Sequence, residues 1–111
     1  KDYKISILGI HGTIRAGEFS YNVNSSLIGK FNAENILCAT AAGNAMGLTK
    51  EVIENGLQQC AFIPGRMESF ILRSGATAFI DYAHTPDAYD KVLSTIRDMV
   101  VEPGRMYMYI C

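Results

Sequence analysis

No run of lysine or arginine breaks the even scatter of charge in this 111-residue chain, whose net charge is −1. Nucleic acids and anionic membrane surfaces attract proteins through a positive stripe, so neither is an expected partner. No stretch approaches the roughly 18 to 20 apolar residues of a membrane span. The opening KDYKISILGI lacks the basic-then-apolar layout of a signal peptide, so a soluble, cytoplasmic location is expected. Cysteine is sparse: Cys38, Cys60 and Cys111 stand far apart, without a CxxC pair or a nearby His to complete a metal-ligand spacing. Buried, reduced thiols are expected instead. There is no internal repeat and no low-complexity tract. The chain starts without Met and stops at YMYIC, straight after what reads as a strand, the pattern of a piece of a longer protein. Its length suits one small domain or the abutting parts of two larger ones.

What is present divides at a Pro-Gly pair. Before it, KISILGI is apolar and β-branched, HGTIRAG supplies turn residues, and EFSYNVN alternates Phe19, Tyr21 and Val23 with polar neighbours, predicting a hairpin or meander. FNAENILCATAAGNAMG is apolar around most of its circumference and predicts a helix buried between neighbours, stopped at Gly47. Thr49 is placed to cap a second helix over TKEVIENGLQQC, with Glu51 in its first turn and Val52, Ile53 and Leu57 on its apolar side. AFIPGRMES interrupts regular structure, because Pro64 removes a donor and Gly65 permits turns closed to other residues. Beyond it, SFILRS and ATAFIDYA read as a hairpin turning at Ser74-Gly75. Thr85-Pro86-Asp87 then combines a cap, a proline at the first helical position and an acid in the first turn. An amphipathic helix follows, with Tyr89, Val92, Leu93, Ile96, Met99 and Val100 on one face, and RMYMYIC after it completes a βαβ pattern.

Three clusters are polar where folding alone does not require it: GKFNAEN at 29–35, PGRME at 64–68 and DYAHTPDA at 81–88. Asn32 and Asn35 share a helix face, which serves capping or a buried amide as readily as a ligand. A guanidinium such as that of Arg66 suits phosphate through its planar fork of donors, although a lone loop arginine is commonly just exposed. Asp81 and His84 lie between a strand end and a helix start, where open α/β sheets collect ligands. An Asp capping a loop and a His bonded at a helix entry are the plain alternatives. Asp87 is accounted for by the helix dipole. His11, between glycines and without a partner cluster, is expected as an exposed turn residue. Gly9 and Gly12 make no phosphate loop, because no Lys-Ser/Thr and helix follow them.

In order and spacing the three clusters resemble the Mur ligase family, most closely the branch that adds the third residue of the peptidoglycan stem peptide, over essentially the whole chain. The resemblance implies an α/β fold in which 1–62 ends a central ATP-binding domain, 63–68 is an interdomain linker and 69–111 begins a Rossmann-like C-terminal domain. It implies ATP and Mg²⁺ as cofactors, with a UDP-N-acetylmuramoyl-peptide and an amino acid as substrates. It sets Asn35 against adenine, with Asn32 and Lys30 secondary, Arg66 toward the phosphates, Asp81 on the ribose hydroxyls and His84 on or beside adenine. A GTNGKT-like P-loop, the Mg²⁺-binding acids and the modified lysine of that family do not occur in these residues. No catalytic residue or metal ligand is therefore expected here, and the chain alone should be inactive and self-associate through cut strand edges. Other ligases on the same scaffold (murein tripeptide recycling, cyanophycin or folylpolyglutamate synthesis) and a non-catalytic nucleotide-binding module remain the alternatives.

Overall fold

The computed structural model describes residues 2–6, 8–16, 18–100 and 104–109. Three strands, β1 (Asp2–Ser6), β2 (Gly9–Ala16) and β3 (Phe19–Ser25), form an antiparallel meander in that order. HGTIRA therefore lies inside the central strand rather than in a turn, and His11 is an exposed strand residue paired with Lys4 and Asn24. A central strand is bonded along both edges, and two ladders outweigh the local turn preference of its glycines. Gly9 is required there for another reason: at φ 127°, a Cβ on it would stand 2.1 Å from the Ser25 carbonyl oxygen.

One face of the meander carries Ile10, Ile14, Tyr21 and Val23, all buried, and two helices cover it. Helix α1 (Lys30–Ala45) contributes Ala33 and Ile36, and helix α2 (Lys50–Gln59) contributes Ile53 and Leu57. Only one stripe of α1 is buried, namely Asn32, Ala33, Ile36, Thr40 and Gly43, while Cys38 on its other side is exposed. The all-round burial expected of this helix is thus absent among the described residues. Cys60 is exposed as well, so neither of these thiols is buried, and Cys111 lies outside the described residues. Val52 also faces water, leaving Ile53 and Leu57 as the buried side of α2.

Polar bonds lock the layers. The Tyr21 hydroxyl donates to Asn44 Oδ1 at 2.6 Å, and the Asn22 amide donates to the Glu54 carboxylate. Helix α1 ends in a Schellman arrangement: Gly47, at φ 77°, donates to Asn44 O and Leu48 donates to Gly43 O, both at 3.0 Å. Thr49 caps α2 by accepting from Val52. The Glu51 carboxyl is held below its ordinary value of 4.5 by its own amide and by the Thr49 hydroxyl. Its contribution to α2 is complete above that value and fades as pH falls through the lower folded-state value.

The chain then turns at Pro64-Gly65 and forms a second sheet, the antiparallel pair β4 (Glu68–Ile71) and β5 (Thr77–Ile80). Leu72 donates to Ala76 O at 2.8 Å, closing a short turn with Gly75 at φ 83°. Helix α3 (Pro86–Met99) follows, opened by Thr85, whose hydroxyl accepts from Ala88. Residues 104–109 form no strand, so the βαβ pattern is not completed within the described residues, and the last two positions of RMYMYIC lie outside them. A strand needs a bonded neighbour; here the segment instead borders a cavity of about 660 Å³ together with β5 and the apolar side of α3. Helix α3 has no buried residue.

Two glycine substitutions separate steric need from mere tolerance. Gly9→Ala should lower the stability of the chain by roughly 1 to 3 kcal/mol. Gly56→Ala, in α2 with nothing within 4 Å of the added carbon, should raise it by about 0.5 to 1 kcal/mol. Urea denaturation of both variants checks the pair.

Candidate functional site at the linker

Ile63 to Arg66 form a tight turn in which the Arg66 amide donates to Ile63 O at 3.0 Å and Gly65 sits at φ 65°. Proline second and a left-handed glycine third are what a type II turn demands. The turn is stapled on several sides. Glu68 Oε2 accepts from the Gly65 amide at 3.2 Å, and the Tyr82 amide donates to Gly65 O at 2.9 Å. The Tyr82 ring lies so close that a Cβ on Gly65 would meet it at 2.3 Å. Glu68 thus braces the turn backbone and makes no ion pair with Arg66, whose exposed guanidinium has no carboxylate partner among the described residues. Arg66 borders a groove of about 340 Å³ with Ser26, Ile28, Phe62 and Phe70.

Asp81 joins the turn to the end of β5. Its Oδ2 accepts from the Met67 amide at 2.9 Å and its Oδ1 from the Ala83 amide at 2.8 Å. Met67 is buried at φ 48°, left-handed for a residue with a side chain, a conformation costing on the order of 1 to 2 kcal/mol. Charge-assisted bonds to Asp81 offset that strain. Met67 was missed by sequence reasoning, and no local signal could have marked it, because its backbone is set by a carboxylate 14 residues on. His84, exposed at the entry to α3, places Nδ1 2.9 Å from Tyr82 O.

The asparagines form a separate pair. Asn32 is buried, donating to Ile28 O at 2.8 Å and accepting at Oδ1 from Asn35 Nδ2 at 3.2 Å. Both of its polar atoms are used within the chain, so it braces Asn35. Asn35 is exposed and retains its carbonyl and one N–H. No hydrogen bond among the described residues joins this pair to Asp81 or His84. The start of α1 nevertheless runs back along α3. Lys30 is 4.0 Å from Asp98, an exposed pair worth little. One turn on, Glu34 adds to the raising of Lys91, whose main cause is its bond to Asp87 at 2.8 Å.

The chain is similar to ligases of known name. A UDP-N-acetylmuramoyl-L-alanyl-D-glutamate--2,6-diaminopimelate ligase of Geobacter metallireducens is 40% identical over 94 residues, covering 85% of this chain and 18% of the relative. The Nostoc enzyme of the same name is 36% identical over 100 residues, covering 88% and 20%. That of Bacillus cereus is 45% identical over 78 residues, covering 70% and 16%. A solved structure of a ligase with this name superposes with a TM-score of 0.67 at 31% identity, over 91% of this chain and 20% of that one. No family model matches. The chain spans about a fifth of the length of these relatives. Its fold is the mixed α/β arrangement of a ligase segment. By sequence and by structure it belongs to the Mur ligase family.

The Asp81 bridge gives a direct expectation. In Asp81→Ala both amides lose their acceptor, and hydrogen exchange at Met67 and Ala83 should accelerate by roughly 10- to 150-fold, given about 1.5 to 3 kcal/mol for a charge-assisted bond. Exchange at the core residues Tyr21 and Ile36 should remain slow. Amide-resolved exchange read by NMR tests this.

Proposed function

We propose that this chain forms part of the ATP site of a ligase that adds the third amino acid, 2,6-diaminopimelate by the names of its relatives, to UDP-N-acetylmuramoyl-L-alanyl-D-glutamate in the cytoplasm. ATP activates the terminal carboxylate of the muramoyl peptide as an acyl phosphate, and the incoming amine displaces phosphate to form the amide. Residues 1–62 then end the central ATP-binding domain, 63–68 are the interdomain linker, and 69–111 begin the Rossmann-like C-terminal domain.

The observation that carries the proposal is the Asp81 bridge, which ties the turn carrying Arg66 to the loop after β5 that carries Asp81 and His84. The residues fit a nucleotide. Each oxygen of Asp81 accepts one amide and has a further lone pair for a ribose hydroxyl. Arg66 offers to phosphate a guanidinium without a carboxylate partner among the described residues, and Asn35 offers the carbonyl and N–H that suit the amine and N7 of adenine. ATP travels with Mg²⁺; we assign no residue of this chain to the metal.

In the full-length ligase carrying this segment, Asp81→Ala should weaken apparent ATP affinity by roughly 10- to 150-fold, the equivalent of a lost bond to a charged group. Arg66→Ala should lower kcat as well, because its partner phosphates redistribute charge as the reaction proceeds. Asp87→Asn, which loses only its dipole contact and the pair with Lys91, should cost about 0.3 to 1 kcal/mol of stability and leave ATP use nearly unchanged. Steady-state kinetics on folded variants decide: wild-type values for Asp81→Ala and Arg66→Ala would remove the nucleotide from this linker.

We also infer that the 111-residue chain self-associates. Ile71, Tyr107 and Tyr109 are 82%, 72% and 90% exposed, and β5 has no second strand partner among the described residues. Sedimentation velocity should show mass rising with concentration, and a monomer throughout would contradict the inference.

A further inference from the structure

Arg66 stands between two held amides. Glu68 Oε2 accepts from the Gly65 amide at 3.2 Å on one side, and Asp81 Oδ2 accepts from the Met67 amide at 2.9 Å on the other. The Arg66 amide itself donates to Ile63 O at 3.0 Å, and Gly65 O accepts from the Tyr82 amide at 2.9 Å, so the peptide entering Arg66 is bonded at both ends. The two carboxylates come from neighbouring strands: Glu68 opens β4 and is paired with Ile80, the residue before Asp81. A carboxylate two positions from a guanidinium has an obvious competing partner, and Glu68 borders the same groove as Arg66. No ion pair joins them, and no other carboxylate pairs with Arg66 among the described residues. An exposed ion pair is worth little, whereas a carboxylate on a backbone amide makes a charge-assisted bond, and that difference keeps Glu68 on the turn.

We propose that Glu68 is a positioning residue: by holding the Gly65 amide it fixes the backbone that carries Arg66 and keeps its own charge off the guanidinium, which is left free to meet the phosphates of the nucleotide. The positioning role rests on the nucleotide reading given above; the hold on the turn does not. A guanidinium stabilises developing charge most when it already stands where that charge appears, because a group that must reorganise during the reaction loses much of its effect. With the Gly65, Arg66 and Met67 amides all engaged, the freedom left to Arg66 lies in its side-chain torsions alone. Removing Glu68 frees the Gly65 amide and leaves Arg66 held from one side only.

Amide exchange in the 111-residue chain and kinetics of the full-length ligase carrying this segment test the two parts separately. In the chain, Glu68→Ala should accelerate exchange at Gly65 by roughly 10- to 150-fold, while Tyr21 and Ile36 stay slow and show that the fold is kept. Glu68→Gln, whose amide oxygen can still accept from Gly65, should accelerate it less. In the ligase, Glu68→Ala should lower kcat by roughly 10- to 100-fold with a smaller effect on apparent ATP affinity, and Glu68→Gln should recover most of that loss. The double variant Arg66→Ala, Glu68→Ala should be no slower than Arg66→Ala alone, because nothing remains to be positioned. Losses that multiply in the double variant would mark a merely structural role and overturn the proposal. Unchanged exchange at Gly65 in Glu68→Ala overturns the hold on the turn, and a wild-type kcat in the same variant overturns the positioning role. If Arg66→Ala keeps wild-type kinetics while Gly65 responds as stated, the nucleotide reading falls and takes the positioning role with it, and the hold of Glu68 on the turn stands.

Discussion

The Asp81 carboxylate is the constraint on which the second half of this molecule depends. One oxygen holds a left-handed Met67 and thereby the exit of the linker turn; the other holds the peptide that leads into α3. With hydrogen-bonding capacity left over on both oxygens, a single side chain can be both architecture and ligand contact. Glycine at position 65, with the Tyr82 ring lying over it, supplies the remaining closure.

The two halves are held together by different physics. The meander and its two helices enclose a core of aliphatic side chains around Tyr21, whose hydroxyl is satisfied by Asn44. In the second half, α3 has no buried residue, and Val92, Leu93 and Ile96 face an unfilled cavity beside β5. Burying such side chains contributes about 1.5 to 3 kcal/mol each, so much of the stability available to α3 is not realised by contacts within the described residues. Polar bonds at the linker and the cap at Thr85 therefore carry more of its positioning than they do for α1 or α2.

Local chemistry was the legible part of the sequence. The start of α3, the left-handed stop at Gly47, the cap at Thr49 and the glycine turn of the second hairpin each depend on a few adjacent residues, and each stands where those residues put it. The loop-capping role open to Asp81 and the helix-entry bond open to His84 were legible in the same way, and both contacts are present. What failed depended on partners distant in the chain. Turn-forming residues at 11–16 became a central strand once both neighbours bonded to it, and 104–109 formed none without a neighbour. Cys38 and Cys60 are exposed because composition does not say which side of a helix is covered, or where one ends. The bonding of Asn32, which turns one of two similar amides inward and leaves Asn35 outward, was also hidden, since spacing alone treats them alike.

The close approach of Gly9 to Ser25 has a meaning for how the sheet finds its alignment. Alternation alone distinguishes inward from outward residues, so β2 and β3 shifted by one position would send Ile10 and Ile14 to water, but a shift by two would preserve the faces. Against that second error the apolar pattern is silent. The glycine is not: at φ 127° a Cβ at position 9 would stand 2.1 Å from the Ser25 carbonyl oxygen, so this approach of β2 to the end of β3 is open to glycine and closed, without a shift, to a residue with a side chain. A single missing side chain thus acts as an index mark, tying the observed registration to the one position of β2 that can lie this close to the end of β3.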